Sequence, residues 1–286
     1  MMYSLLKALI IRNKKELFYL SLCCIIKDEA AYVEEWMRYH LAIGVEHFYV
    51  YDNGSQVPIK QTLKELNLLQ YATVFEITGT RRQNKAYRHC IRAFKYTSRW
   101  IGFIDIDEFI VAKSTRGDLP LFLKDYEAYG GLGINWLIFG SGGRIEKSDK
   151  PQLESFLLRS EESFSPNLHI KSIVQPKRVR RLGSVHNFFC KKPYHCVNEN
   201  YQLIDSPFSD PVSVSKIQLN HYYCRSLQEY NSKIKRGFAD AIRQRTLKEF
   251  YYHDDESNKV KDTAILDVLE YRNKLTGGIS PVKFQQ

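Results

Sequence analysis

Apolar residues recur with two different periods along the first hundred positions, and the switches between them lay out the elements. A continuous apolar run at 21–26 predicts a short buried strand, stopped by the polar triplet Lys27-Asp28-Glu29. Tyr32, Val33, Trp36, Met37, His40 and Leu41 then return at helical spacing, with the two acids placed where a helix N-terminus favours negative charge. A second run, 47–51, breaks at the turn signal Asp52-Asn53-Gly54-Ser55. A short helix is predicted over 60–69 and a third strand over 72–77. Ala86, Tyr87, Cys90, Ile91 and Phe94 form the apolar face of another helix, and the fourth strand, 100–104, runs straight into Asp105-Ile106-Asp107-Glu108-Phe109. Beyond it the pattern predicts strands at 131–139, at 171–189 with basic turns between them, and at 217–223. Helices follow at about 226–238 and 262–274.

Alternating strand and helix signals specify an α/β architecture with a mainly parallel sheet, and no repeat, low-complexity tract or linker divides the chain. One domain is expected over 19–286, behind a basic amphipathic segment at 1–18. In that segment an apolar run from Leu5 to Ile11, interrupted by Lys7, precedes Arg12, Lys14 and Lys15. It is too short to span a bilayer, which leaves a helix lying on a membrane surface or packed on its own domain. In open α/β sheets ligands sit beyond the carboxyl ends of the strands, where three strands here end in polar loops.

At 286 residues the chain can bury a substantial core, and 44% apolar with 13% aromatic residues excludes intrinsic disorder. The net charge of +10 is clustered. Residues 80–104 carry Arg81, Arg82, Lys85, Arg88, Arg92, Lys95 and Arg99 without an acid. Residues 171–197 carry Lys171, Lys177, Arg178, Arg180, Arg181, Lys191 and Lys192, again without one. Such fields suit ligand phosphates, an anionic membrane or simply solvent. Six cysteines form no C-x-x-C pair and fit a reducing, cytoplasmic setting, and Cys190, His195 and Cys196 beside His186 match no standard zinc spacing.

Asp105 and Asp107, two apart at a strand end, can both reach one cation, and hard oxygen ligands suit Mg2+ or Mn2+ holding a diphosphate. A haloacid-dehalogenase-type phosphatase would need Gly-Thr after the second aspartate, where Glu108-Phe109 stands. A nucleotidyltransferase would need Gly-Ser ahead of the pair. A nucleic-acid binder is favoured by the charge and the tyrosines, but no helix-turn-helix, finger or ribonucleoprotein motif is present, so no nucleic-acid partner is expected.

The surrounding residues sharpen the reading. Lys27-Asp28-Glu29 with Glu35-Trp36 and Tyr39-His40 is followed by Gly44-Val45-Glu46-His47-Phe48 with Tyr51-Asp52-Asn53-Gly54-Ser55. Then come Arg82-Gln83-Asn84, the stretch 100–109, Asn135-Trp136 with Phe139-Gly140-Ser141, 171–176 with Val185-His186, and Asn220-His221-Tyr222. In this order, over about 25–260, they resemble glycosyltransferase family 92 and its bacterial family 2-like relatives of GT-A fold. The resemblance implies a GT-A-like, Rossmann-like mixed sheet flanked by helices. It implies that the Lys27 loop and Asp52 contact the nucleoside, with Glu29, Asn53, Arg82, Gln83 and Asp105 completing the nucleotide-sugar site. It also implies that Asp105 and Asp107 bind the metal and that transfer inverts the anomeric centre. The donor would be a UDP-hexose, galactose being favoured, and the acceptor a glycan or lipid-linked glycan such as a lipopolysaccharide. Relatives usually have Asn at the position of Asp28; a carboxylate beside a diphosphate is unfavourable, so Asp28 is expected to cap its helix.

Inversion needs a general base, for which Glu154 and Asp254 are the candidates. Two carboxylates leave most of an octahedral shell open, so a histidine is expected to complete the protein ligands. His186 is preferred because it closes a strand-like stretch within the second basic cluster, whose Lys171, Lys177 and Arg178 would hold the same phosphates. His221 is the alternative.

Overall fold

The computed structural model describes residues 16–237 and 244–275, so the amphipathic segment expected at 1–18 falls almost wholly outside the described residues. The chain opens with β1 (Phe18–Ile26), α1 (Ala30–Ala42), β2 (His47–Asp52), α2 (Ile59–Glu65), β3 (Ala72–Glu76), α3 (Gln83–Phe94) and β4 (Ser98–Phe103). These match the predicted elements to within a few residues because each has one unambiguous buried face. β1 and β2 are buried along nearly their whole length, as strands covered on both faces must be. β4, β1, β2 and β3 lie side by side, all parallel. Gly102 lets β4 lie close to β1: a Cβ there would come within 2.6 Å of Leu22.

The pattern then changes, as expected, but in more pieces than the sequence marks. β5 (Glu108–Ala112) continues where the Asp-x-Asp run was predicted to end, and is followed by α4 (Leu119–Lys124) and β6 (Gly131–Ile138). Next come α5 (Gln152–Ser155), β7 (Leu158–Arg159), β8 (Ile170–Val174), and the β9 (Val179–Leu182) to β10 (Phe188–Cys190) hairpin. After β11 (Cys196–Val197) and β12 (Leu203–Ile204), β13 (Ile217–His221) leads to α6 (Leu227–Arg236), α7 (Leu247–Glu256), β14 (Val260–Lys261) and α8 (Ala264–Leu275). β8 joins β4 and β6 antiparallel, so the sheet runs β12-β11-β6-β8-β4-β1-β2-β3 and is mixed; β13 lies parallel to β6 and antiparallel to β5. The architecture is α/β, a Rossmann-like mixed sheet flanked by helices in one domain. Among the described residues no helix is long and apolar enough to cross a membrane.

Two buried polar devices carry the second half. Glu199 accepts five hydrogen bonds from Ser213, Ser215, Lys216 and Ile217, which fixes the approach to β13. Ser226 and Glu229 form a capping box that starts α6, a device that contributes roughly 1 kcal/mol.

Candidate active site

The carboxyl ends of β1, β2 and β4 open onto a cleft of about 550 Å³. Asp105 and Asp107 lie on its floor, one on each side of Ile106, where β4 gives way to β5. Neither carboxylate is left to solvent alone. Lys171, only 1% exposed, comes from β8 and places Nζ 2.6 Å from Asp105 Oδ2. Gln83, the first residue of α3, donates to Asp105 Oδ1 at 2.7 Å. Lys233, 3% exposed on α6, approaches Asp107 Oδ2 at 2.6 Å. Burial works against the Asp107 charge, but Lys233, His221 and Arg225 outweigh it and hold the carboxyl well below its usual range. Burial lowers Lys233 as well, and the opposing pull of Asp107 does not fully restore it.

Behind the pair lies Glu108, fully buried, which accepts the Asp105 backbone N–H at 2.7 Å. Burial pushes its carboxyl up to about 8, with Lys171 opposing and Asp105 and Asp107 adding to the rise. His221, at the end of β13, sits between them: Nε2 is 3.7 Å from Asp107 Oδ1 and Nδ1 is 4.0 Å from Glu108 Oε1. Both His221 Nδ1 and Glu108 Oε1 are buried without a hydrogen-bond partner. Burial lowers the His221 pKa despite Asp107, so the ring is neutral. With its proton on Nδ1 it directs a lone pair at a carboxylate, an arrangement a cation between them would satisfy. Among the described residues no three His, Cys, Asp or Glu side chains are already gathered around a point where they would hold a metal ion as they stand. Any ion here would therefore depend on donor phosphates for part of its shell, as Mg2+ sites commonly do.

His186 lies in the same cleft but is engaged differently. Its Nδ1 bonds to the Ile170 carbonyl at 2.9 Å, and burial and Lys171 lower its pKa to about 3. The structure thus brings His221, not the preferred His186, against Asp107. Sequence proximity to the basic cluster misled because Lys177 turns to Glu16 and Arg178 to the Glu127 and Tyr129 carbonyls; of the three basic residues, Lys171 alone reaches the floor.

Of the residues expected at the nucleotide, Lys27, Glu29, Asn53, Gln83 and Asp105 line the cleft. Glu29 is held by Arg225 at 3.1 Å and Arg236 at 2.5 Å. Asp52 and Arg82 do not line it. Both Asp52 oxygens are taken by the backbone N–H groups of Ser55 and Ile59, and Arg82 donates to the Thr78 carbonyl. Asp28 does not cap α1: with φ of 52° it accepts from the Gln56 N–H, tying its loop to the turn after β2. Neither expected base is in the cleft. Glu154 is exposed on α5, and Asp254 binds Ser141 through N–H and Oγ, clamping the 140–143 loop. Glycine at 140 is required there, since a Cβ would collide with Asn258 and the Ser257 carbonyl.

Missed from the sequence are Lys233 and Arg236 on α6 and Arg225 just ahead of it, whose only mark in the chain is the Ser226-x-x-Glu229 cap of that helix. Also missed was an aromatic wall of the cleft. There Trp136 stacks on His169 at 4.9 Å and Tyr223 on His253 at 4.1 Å. A second cavity of about 620 Å³, between the start of α1 and residues 147–152, is larger, but none of the aspartates, lysines or histidines of the floor reaches it.

The family model for glycosyltransferase family 92 matches residues 19–271. A glycosyltransferase family 92 protein of Ricinus communis is 25% identical over 266 residues, which cover 88% of this chain and 42% of that protein. One from Oryza sativa subsp. japonica is 29% identical over 182 residues, 62% of this chain and 30% of the other. A galactan beta-1,4-galactosyltransferase of Arabidopsis thaliana is 28% identical over 109 residues, 34% and 21% of the two chains. The chain spans less than half the length of these relatives. With the match running from β1 into α8 and enclosing the whole cleft, the chain belongs to glycosyltransferase family 92.

Proposed function

We propose that the chain is a metal-dependent inverting hexosyltransferase that moves a hexose, galactose in the leading case, from a UDP-sugar to a glycan or lipid-linked glycan. The observation that carries this reading is the cleft floor, where two strand-end aspartates meet two buried lysines and a neutral histidine. Family membership and the galactan galactosyltransferase among the relatives support the sugar chemistry.

Asp105, Asp107 and His221 are the residues that would hold a divalent ion, which when bound clamps the diphosphate and offsets its charge as it leaves. Glu108 faces His221 Nδ1 and would orient the ring. Lys171 and Lys233 supply fixed positive charge beside the same oxygens, in a setting dry enough to make it count. Lys27 and Asn53 lie on the nucleoside side, and Arg236 extends the cationic wall. We place the acceptor beside Trp136, His169 and Tyr223, aromatic side chains that line the cleft. Among the described residues the carboxylates lining the cleft are Glu29, Asp105, Asp107 and Glu249. Glu29 is held by two arginines and the aspartates face the phosphates; Glu249, which caps the start of α7 by accepting the Thr246 N–H, is the remaining carboxylate of the cleft and is assigned as the base.

The test is thermal stabilisation by UDP with and without Mn2+, followed by transfer assays across the common UDP-hexoses. UDP is expected to raise the melting temperature when Mn2+ or Mg2+ is present and not in chelator. His221→Ala should remove that shift and His186→Ala should retain most of it; an equal shift in chelator, or the reverse ranking, would sink the metal assignment. Glu249→Gln should keep UDP binding and lose transfer by about two orders of magnitude or more. Full turnover in that variant would return the base to another group.

A further inference from the structure

The two acid-free basic clusters, far apart in sequence, fall on one face of the molecule. Lys85, Arg88 and Arg92 follow a 3-4 spacing, which sets them on one side of α3, and Arg81 lies two residues ahead of that helix; all four are exposed. The opposite side of that helix, with Ala86, Tyr87, Cys90 and Phe94, is buried. α3 packs on β9, where Arg180 is exposed, and Lys192 is exposed just after β10. Among the described residues none of these six forms an ion pair. The acids at the far edge are already committed, Glu127 to Arg99 and Glu16 to Lys177.

We propose that this face docks on the anionic leaflet of a lipid bilayer. Three observations select a membrane from among polyanions. First, the aromatic rings near the clusters are already covered by cations: Tyr96 by Lys95, Phe189 by Arg181 and Tyr194 by Arg178, at 4.9, 3.8 and 4.1 Å. Each therefore offers one ring face fewer to stacked bases, on which single-stranded nucleic acid binding relies. Second, the chain enters the fold at the edge of this face, where Leu17 and Phe18 donate to the Thr97 carbonyl just beyond α3. The residues ahead of that entry include Leu5, Leu6, Leu9, Ile10 and Ile11 with Arg12, Lys14 and Lys15, a composition suited to an anionic interface. Third, the face reaches the cleft: Gln83 at the head of α3 and His186 in the β9–β10 turn both line it. A leaflet bound here lies beside the reaction centre. Docking of this face is independent of sugar transfer; only its purpose, delivery of a lipid-linked acceptor at the cytoplasmic side of a membrane, rests on the function proposed above.

The experiment is co-sedimentation of the full chain with vesicles of phosphatidylglycerol and phosphatidylcholine, against phosphatidylcholine alone, over a salt series. Binding is expected to require phosphatidylglycerol and to weaken as salt rises. Each basic residue near an anionic surface contributes roughly a fivefold factor in partitioning. The combined Arg88→Gln, Arg92→Gln, Arg180→Gln, Lys192→Gln variant should therefore bind at least about a hundredfold more weakly, with its melting temperature and its UDP-induced shift unchanged. Equal binding to neutral vesicles overturns the proposal. So does wild-type vesicle binding by the fourfold variant, even if deletion of residues 1–15 abolishes it. Preferential binding of an RNA homopolymer over vesicles, lost in the fourfold variant, assigns the face to nucleic acid instead. A chain that binds vesicles as expected but transfers no sugar leaves the docking face standing and removes the enzymatic reading.

Discussion

Asp107 is the residue at which stability and chemistry are hardest to separate. Its carboxylate is the partner of Lys233, which is 3% exposed, so Asp107→Asn removes a proposed metal ligand and also strands a buried ammonium. Breaking a buried pair from one side costs on the order of 3 kcal/mol, because the remaining charge is left uncompensated. The single variant is therefore expected to lose transfer and to melt well below the wild type. Asp107→Asn combined with Lys233→Met should recover most of the stability and none of the transfer. If the single variant melts like the wild type, the ion pair is not formed in solution; if the double variant transfers sugar, Asp107 is not in the mechanism. From the sequence alone this substitution looks harmless to the fold, since Asn is nearly isosteric. That expectation fails because Lys233 lies on a helix with no visible link to the Asp-x-Asp motif.

At the scale of elements, α1 acts as a polar clamp on the strand that follows the aspartates. Trp36 Nε1 donates to the Glu108 carbonyl, Tyr39 OH donates to the Ile110 carbonyl, and His40 Nε2 accepts from the Ile110 N–H. His40 must therefore stay neutral, and burial lowers its pKa to about 3. On β2, burial lowers His47 to about 4; it bonds Thr73 and stacks on Phe18. A histidine depressed in the fold binds its proton more readily when unfolded. Its contribution is complete above the unfolded value of 6.5 and is lost as pH falls towards the folded value. The denaturant midpoint should accordingly drop between about pH 6.5 and pH 4, with His186 adding to the fall and Glu108, raised to about 8, opposing it, and His47→Gln should make that drop shallower. A pH slope left unchanged by His47→Gln would show that this ring titrates normally. The helical period of α1 is plain in the sequence, whereas its role as a clamp is not, because the period reports which face is buried and not which carbonyls that face meets.

For the whole molecule, the division between chain and fold follows the range of the interactions. Local pattern specifies the parallel half, since each of β1 to β4 and the helices between them is defined by its own period and turn residues. It also places Asp105 and Asp107 at a strand end, and family membership over 19–271 agrees with the motif order read along the chain. The mixed half was less legible: short strands such as β11 and β12 are set by pairing with β6 and with each other, not by any period of their own. The ligand and counter-charge set lay furthest from view. Lys171 reaches the floor from β8, His221 from β13 and Lys233 from α6, and their meeting depends on the insertion of β8 between β4 and β6 and on the turn from β13 into α6. The same is true of the basic face, where α3 and the β9–β10 hairpin add their charges only once packed together. The sequence by itself determined the kind of chemistry, because two acids at the end of a buried strand are a local fact. The tertiary structure alone decided which histidine and which lysines stand beside them, because burial and Coulomb interactions act through space and carry no record of sequence separation.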